Sequence, residues 1–168
     1  MIGKLINLYY KFNYRFLLDK RVVLNKGAFV HNFGTFIVNG NSNCSIKIDD
    51  AVYIGRYANI HTGSKVTLSE GVVLSDYVYI STLSHSFNPK AGFIMSQPSY
   101  DKGEIFIGNN CFIGFGAKIM PNVSLGEWCI VGSGSVVTKS FPSYVMIAGN
   151  PAKVIKKYNR EKNKWESV

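Results

Sequence analysis

The most constraining feature of this 168-residue sequence is an apolar residue at every sixth position. A branched aliphatic residue or leucine recurs without a break at Ile107, Ile113, Ile119, Leu125, Val131 and Val137. Glycine follows four of these anchors, at Gly108, Gly114, Gly126 and Gly132. A period of six fits neither an α-helix nor an ordinary alternating strand. It predicts a solenoid of short parallel strands, three to a coil, with equivalent side chains stacked about 4.8 Å apart.

The same period is present nearer the N-terminus, with interruptions. It predicts coils at Ile48, Ile54 and Ile60, then at Leu68, Leu74 and Ile80, and a weaker first coil at Val30 and Phe36. The glycines are expected at sharp corners, where backbone angles disfavour other residues. Between Ile80 and Ile107 the period fails, so residues 84–104 are predicted to leave the solenoid as a loop, and such loops often carry function.

Both ends of the chain are expected to add helices. Residues 1–21 place apolar side chains near one helical face. After Val137 the repeat stops, and Pro151 is well placed to begin a helix that carries Lys153, Lys156, Lys157 and Arg160. The predicted fold is therefore an all-β parallel β-helix of about five coils over residues 22–142, with a short N-terminal amphipathic helix and a C-terminal helical cap and basic tail over residues 143–168.

The net charge of +9 is concentrated at the two ends of the chain. Residues 1–21 carry +4 and residues 153–168 carry +4, whereas residues 22–152 hold eight basic and seven acidic side chains. A nucleic-acid-binding domain would be expected to show a basic stripe on its body, so no nucleic-acid partner is expected. Basic ends suit a small polyanionic ligand or an anionic membrane surface. The helix over residues 1–21 is interpreted either as a loose membrane anchor or as a helix that packs on the protein itself.

The cysteines and the N-terminal segment favour a cytoplasmic location. Cys44, Cys111 and Cys129 are odd in number and include no CxxC pair, which is typical of reduced core thiols. Lys4 and Lys11 interrupt the only apolar terminal segment, so neither a spanning helix nor an ordinary signal peptide is expected. Peripheral contact with the inner face of a membrane stays compatible with this pattern.

The hexads and two further motifs resemble those of the hexapeptide-repeat acyltransferases. The motifs are Gly-Ser-Gly-Ser-Val-Val-Thr-Lys at 132–139 and Ala-Gly-Asn-Pro-Ala-Lys-Val-Ile at 148–155. The resemblance implies a left-handed parallel β-helix that transfers an acetyl group from acetyl-CoA to a sugar or related acceptor. The chain looks most similar to the small O-acetyltransferases of O-antigen and capsule biosynthesis. The family is usually homotrimeric with active sites between subunits, so a homotrimer is expected.

The resemblance also implies roles for individual residues. His85 follows the last hexad before the loop and is the expected general base, since an imidazole can take the proton of a sugar hydroxyl that attacks the thioester. The backbone amide of Phe115 is the expected donor to the oxyanion. Further acetyl-CoA contacts are implied at Ser133 on the pantetheine arm, at Thr138 and Lys139 near the adenine, and at Lys153 and Lys156 toward the phosphates. No metal is expected.

Two departures from the galactoside and maltose acetyltransferases indicate a different saccharide acceptor. Those enzymes carry a tryptophan where this chain has Phe112. They also carry polar acceptor-binding residues that Gly55, Tyr57 and Thr62 do not reproduce. Residues 86–104 are therefore the candidate segment for acceptor contact.

Three other functions use the same scaffold. N-acetylation of an amino sugar nucleotide would use the same base. Zinc-dependent carbonic anhydrases need three converging histidines, whereas His31, His61 and His85 are predicted on different coils, with His31 and His61 interpreted as ordinary structural histidines. A structural or ice-binding solenoid would favour regular threonine arrays, which this sequence lacks.

Overall fold

The computed structural model describes residues 18–31 and 33–168. The predicted N-terminal helix over residues 1–21 falls mostly on residues 1–17, so that prediction lies outside the described residues. Within the described part of the chain, no helix is long and apolar enough to cross a membrane.

The strands follow one another in groups of three, and each group makes one coil. The first three coils are β1 (Val22–Leu24), β2 (Phe29–Val30), β3 (Thr35–Val38); β4 (Ser45–Ile48), β5 (Tyr53–Ile54), β6 (Asn59–Thr62); and β7 (Lys65–Leu68), β8 (Val73–Leu74), β9 (Tyr79–Ser81). A hairpin of β10 (Leu83–His85) and β11 (Ser99–Asp101) follows, with a 3₁₀ turn at Ile94–Ser96 between its strands. Two more coils are β12 (Ile105–Ile107), β13 (Phe112–Ile113), β14 (Lys118–Ile119); and β15 (Ser124–Leu125), β16 (Ile130–Val131), β17 (Val136–Val137). The chain ends with β18 (Val145–Gly149), β19 (Ala152–Asn159) and β20 (Lys164–Ser167).

Equivalent strands of successive coils pair in parallel and form three faces of a prism. Face 1 has the order β1-β4-β7-β12-β15, face 2 has β2-β5-β8-β13-β16-β18, and face 3 has β3-β6-β9-β14-β17. The register stacks the predicted anchors, with Ile48 beside Leu68, Leu68 beside Ile107, and Ile107 beside Leu125. The predicted solenoid is therefore confirmed, with five full coils and a sixth begun by β18.

Stacked aliphatic side chains fill the interior of the prism. All six anchors from Ile107 to Val137 are fully buried, as are the anchors from Ile48 to Ile80. Each such side chain contributes about 1.5–3 kcal/mol relative to exposure. Small residues between anchors, such as Ala58, Ala117 and Cys129, leave room for the larger side chains of the narrow core.

The glycines after the anchors have a different role from the one predicted. Gly108 and Gly114 do not adopt a positive φ; instead, a Cβ at Gly114 would lie 2.7 Å from the backbone nitrogen of Ser133. A Cβ at Gly108 would lie 2.8 Å from the carbonyl carbon of Gly126. Close approach of successive coils therefore requires glycine here. The left-handed angles occur two residues after these glycines, at Gly116 and Gly134, for example.

The predicted C-terminal helical cap is wrong. Residues 152–159 form strand β19, which pairs antiparallel with β18 and with β20 and extends face 2. Burial along the first five residues of β19 alternates with a period of two, because Ala152 and Val154 face inward while Lys153 and Ile155 are exposed. The basic residues assigned to a helix thus lie on a β-hairpin that covers the end of the prism.

Candidate functional site

The segment where the period fails forms a hairpin that folds over one edge of face 3. β10 and β11 pair antiparallel, with His85 opposite Ser99. At its base, the Leu83 N–H donates to Ser81 Oγ at 3.1 Å and the Lys102 N–H donates to the Thr82 carbonyl at 2.8 Å. These contacts fix the start of β10 relative to the rigid coils. We call this side of face 3, where the chain returns toward face 1, the hairpin edge.

A cleft of about 260 Å³ lies between face 3 and the hairpin. Its lining residues are Asn39, His61, Tyr79, Ser81, Leu83, Ser84, His85 and Ser99. Seven of these eight side chains can form hydrogen bonds, and none is a lysine, an arginine or a carboxylate. The cleft therefore suits neutral hydroxyl groups better than phosphates or ammonium groups. His85 lies at its rim and is exposed.

The cleft also contains His61, which the sequence did not identify as a candidate. His61 lies on β6 beside Ser81 of β9, and its ring meets the ring of Tyr79 edge-on at 5.9 Å. Its Nε2 atom is buried without a hydrogen-bond partner. Burial lowers the pKa of His61 and favours the neutral imidazole. The sequence signal was its position directly after the anchor Ile60, on the same face as the residues that lead to His85.

The predicted oxyanion donor lies at the opposite edge of face 3. Phe115 occupies the turn that joins faces 2 and 3, and Ser133 occupies the equivalent turn one coil later, where the Gly134 N–H donates to the Phe115 carbonyl at 2.8 Å. Within the described residues, the N–H groups of Phe115 and Ser133 donate no hydrogen bond. We call these stacked turns the Phe115 corner. Its two unpaired amides can donate to an anion or to a carbonyl oxygen.

A column of exposed aromatic rings continues the Phe115 corner toward the first coil. Phe33 stacks on Tyr57 at 5.1 Å, Tyr57 stacks on Tyr77 at 4.9 Å, and the ring of Phe115 is tilted against Tyr77 at 5.4 Å. These side chains are 39–62% exposed. An exposed apolar column of this length marks an interaction surface.

The other predicted acetyl-CoA residues divide between the two edges. Lys153 pairs with Ala148, which lies above Gly132 at the Phe115 corner, and Lys156 pairs with Met146 on the same hairpin. Within the described residues neither lysine has an ion-pair partner, so both positive charges are available to an anion. Thr138 and Lys139 instead follow β17 at the hairpin edge, where Lys139 lies over the ring of Phe141.

The predicted base and the predicted oxyanion donor lie at opposite edges of face 3 in one chain. Phe115 precedes Met120 by five residues, and Met120 follows the pair Ile119–Ile80 at the hairpin edge. At about 3.3 Å per residue, the five residues from Phe115 to Met120 span at most about 16 Å of face 3. General-base catalysis needs hydrogen-bond reach of about 3 Å between base and nucleophile, which is short compared with the width of face 3.

Residues 18–31 and 33–168 contain no cluster of potential metal ligands. No three His, Cys, Asp or Glu side chains there come together as a metal site. His31 packs against the rings of Phe29 and Tyr53 at face 2, away from the cleft that His61 and His85 share.

Comparisons with known proteins agree with this architecture. The family described as bacterial transferase hexapeptide (six repeats) matches residues 104–139. An Escherichia coli K12 relative, assigned as the lipopolysaccharide biosynthesis O-acetyl transferase WbbJ, is 32% identical over 131 residues, which are 73% of this chain and 66% of the relative. A solved galactoside acetyltransferase in complex with coenzyme A has a TM-score of 0.67 at 28% identity, covering 84% of this chain and 66% of that chain. The polySia-specific acetyltransferase NeuO has a TM-score of 0.59 at 25% identity, covering 81% and 65%.

The chain is shorter than these proteins. It spans 66% of the Escherichia coli relative and 57% of the Staphylococcus aureus acetyltransferases that it also matches at 30% identity.

Proposed function

Because the chain belongs to the hexapeptide-repeat acyltransferases, whose fold is a left-handed parallel β-helix, we propose that it is an acetyl-CoA-dependent O-acetyltransferase. Its acceptor is a hydroxyl group of a sugar, in a precursor of a surface polysaccharide such as O-antigen or capsule. The observation that carries this proposal is the cleft beside His85, whose lining offers hydrogen bonds and no charged lysine, arginine or carboxylate. A cleft without a carboxylate favours a neutral hydroxyl acceptor over the ammonium group of an amino sugar.

In the proposed reaction His85 moves one proton. Its imidazole takes the proton of the acceptor hydroxyl while the oxygen attacks the carbonyl carbon of the acetyl group. The Phe115 N–H donates a hydrogen bond to the carbonyl oxygen as negative charge develops there. When the carbon–sulfur bond breaks, His85 returns the proton to the leaving thiolate. The acetyl ester and coenzyme A are the products, so the step is balanced without a metal.

The acetyl donor fits the Phe115 corner. The free amides of Phe115 and Ser133 suit its thioester and pantetheine arm, and the unpaired Lys153 and Lys156 suit its phosphates. Thr138 and Lys139, near the hairpin edge, contact the adenine end of acetyl-CoA. Acetyl-CoA is a substrate here, and its polyanionic end matches the lysines of β19.

We also propose a homotrimer whose active sites lie between subunits. Because His85 and Phe115 lie at opposite edges of face 3 on one chain, the hairpin edge of one subunit meets the Phe115 corner of the next in this arrangement. Head-to-tail contacts of this kind close into rings. The aromatic column at the corner and the loop residues Phe93 and Met95, which are 87% and 86% exposed, supply apolar surface for that contact.

The proposed location is the cytoplasm, where acetyl-CoA is available, with peripheral contact at the inner membrane face. The basic strand β19 and the basic N-terminal residues favour an anionic surface. This contact would bring the enzyme to lipid-linked sugars.

Thiol release from acetyl-CoA tests the proposal. The assay compares wild type with His85→Ala across sugars, nucleotide sugars and oligosaccharides. We expect acceptor-dependent release that falls at least ~100-fold in the variant. Release that survives the substitution would remove His85 as the base, and a strict preference for amine acceptors would favour N-acetylation instead.

A further inference from the structure

The cleft beside His85 holds a second imidazole that the proposed reaction does not use. His61 projects from β6 on the outside of face 3, and both histidines line the same space. The Nε2 atom of His61 has no partner although it is buried. An unpaired buried nitrogen costs free energy, and buried polar groups without partners are rare in folded proteins. Such an atom beside a cleft points to a group that enters from outside.

The surroundings of His61 match a hydroxyl group. Because burial lowers its pKa, the imidazole is neutral near pH 7 and offers one donor and one acceptor nitrogen. A hydroxyl group likewise donates once and accepts. Asn39 and Ser81, from the coils on either side, add further hydrogen-bonding groups, and Tyr79 and Leu83 add apolar surface. This mixture of hydroxyl partners and apolar surface suits a sugar ring.

The size of the cleft limits what it can hold. Its volume of about 260 Å³ lies just below the range of about 300–1,000 Å³ found for drug-sized ligands. One monosaccharide ring therefore fits, and the rest of an oligosaccharide would extend past the rim where His85 lies.

We propose that His61 binds the acceptor sugar and determines which hydroxyl is acetylated. Its imidazole forms a hydrogen bond with one hydroxyl of the sugar ring and thereby holds another hydroxyl of the same sugar beside His85. Nε2 makes this bond either in its present position or after a half-turn of the imidazole ring that exchanges it with Cε1. This inference rests on the proposed function, because it assigns the sugar to the same cleft. It makes His61 a specificity-determining residue, whereas His85 carries the proton.

Three variants separate binding from structure. His61→Phe keeps a flat ring and removes both nitrogens, and His61→Gln keeps hydrogen-bonding groups. His31→Phe is the matched control, because His31 packs on Phe29 and Tyr53 outside the cleft. We expect His61→Phe to raise KM for the sugar at least ~10-fold and to change the ratio of acetylated positions, with KM for acetyl-CoA unchanged. His61→Gln should retain the wild-type ratio in part, and His31→Phe should behave as wild type.

A binding measurement without turnover makes the two proposals separable. The probes are methyl β-D-galactopyranoside and methyl α-D-glucopyranoside, titrated while the imidazole Hε1 signal of His61 is followed by NMR, assigned with His61→Phe. A shift of that signal without any thiol release would support the sugar site and overturn the acetyltransferase proposal. Thiol release with unchanged sugar KM and unchanged product ratio in His61→Phe would overturn the role of His61. Loss of the trimer in His61→Phe, with unchanged KM per folded trimer, would also overturn it and make His61 a contact between subunits.

Discussion

Replacing Phe115 by proline removes one hydrogen-bond donor and leaves the fold intact. Gly116 has a φ of 64°, and the Ala117 N–H donates to the Gly114 carbonyl at 3.1 Å. These are the features of a type II turn, in which the second position accepts proline. Phe115 occupies that position, and its N–H makes no internal hydrogen bond. Phe115→Pro therefore deletes only the donor assigned to the oxyanion, together with the aromatic ring.

This substitution should lower the rate of the reaction and raise the stability of the fold. Loss of one oxyanion donor typically lowers kcat by about 10²–10³, which corresponds to about 2.7–4 kcal/mol. Proline at a compatible position stabilises a protein by about 0.4–1 kcal/mol, because it restricts the unfolded chain. We therefore expect a much slower enzyme with an unchanged or slightly higher Tm.

Phe115→Ala is the matched control, since it removes the same ring and keeps the N–H. Thiol release at saturating acetyl-CoA gives kcat for wild type and both variants, and thermal unfolding followed by circular dichroism gives Tm. The kcat of Phe115→Ala should stay within about tenfold of the wild-type kcat if the amide, and not the ring, supplies most of the contribution of Phe115 to the rate. Equal losses in the two variants would refute the amide and assign the role to the ring. A lowered Tm in Phe115→Pro would refute the turn geometry.

Further predictions concern packing, charge, membrane contact and the thiols. Gly114→Val should destabilise the protein by about 1–3 kcal/mol in urea unfolding, because its Cβ would meet Ser133 and Val131 at 2.7 Å; an unchanged midpoint would contradict the close coil spacing. Lys153→Ala should raise KM for acetyl-CoA, more at low salt, whereas Lys164→Ala, which loses only a contact with Glu166, should not. Removing residues 1–17 should reduce sedimentation with phosphatidylglycerol vesicles; unchanged binding would leave the basic strand β19 as the contact. Cys44, Cys111 and Cys129 are all buried, so the three thiols should react with Ellman's reagent only after unfolding.

The sequence predicts the solenoid well because each coil packs only against the coils next to it in the chain. Each anchor is buried by the anchor of the next coil, so the period of six survives in the sequence wherever the prism continues. The two-residue offset between Ile60 and Leu68 was visible for the same reason, and the structure places it in the turn at Gly63 and Ser64. The end of the period at Ile80 likewise located the hairpin.

The C-terminal strands were mispredicted because local signals favour a helix there. Pro151 and closely spaced lysines suit a helix start and an exposed helical face. The alternative, a strand that extends face 2, depends on the open edge of β18, which no local pattern reveals. An uncovered edge strand attracts a partner strand. Tertiary context therefore decided the conformation.

The candidate site was only half predictable. His85 could be found as a candidate because the resemblance to the hexapeptide-repeat acyltransferases assigns the base to the position where the period gives way to the hairpin. His61 could not, since its relation to His85 depends on how β10 and β11 fold back over face 3. The separation between His85 and Phe115 could not be predicted either, because it depends on the width of the prism, where five residues along one coil cross a whole face.

The most direct test of the account is complementation between two inactive variants. His85→Ala and Phe115→Pro chains are unfolded, mixed in equal amounts and refolded together, and thiol release is compared with each variant refolded alone. In a randomly mixed trimer with sites between subunits, one interface in four receives an intact base from one chain and an intact corner from its neighbour, so about 25% of wild-type activity should return. Mixtures no more active than the separate variants would contradict the shared site, because every chain would then carry its own defect.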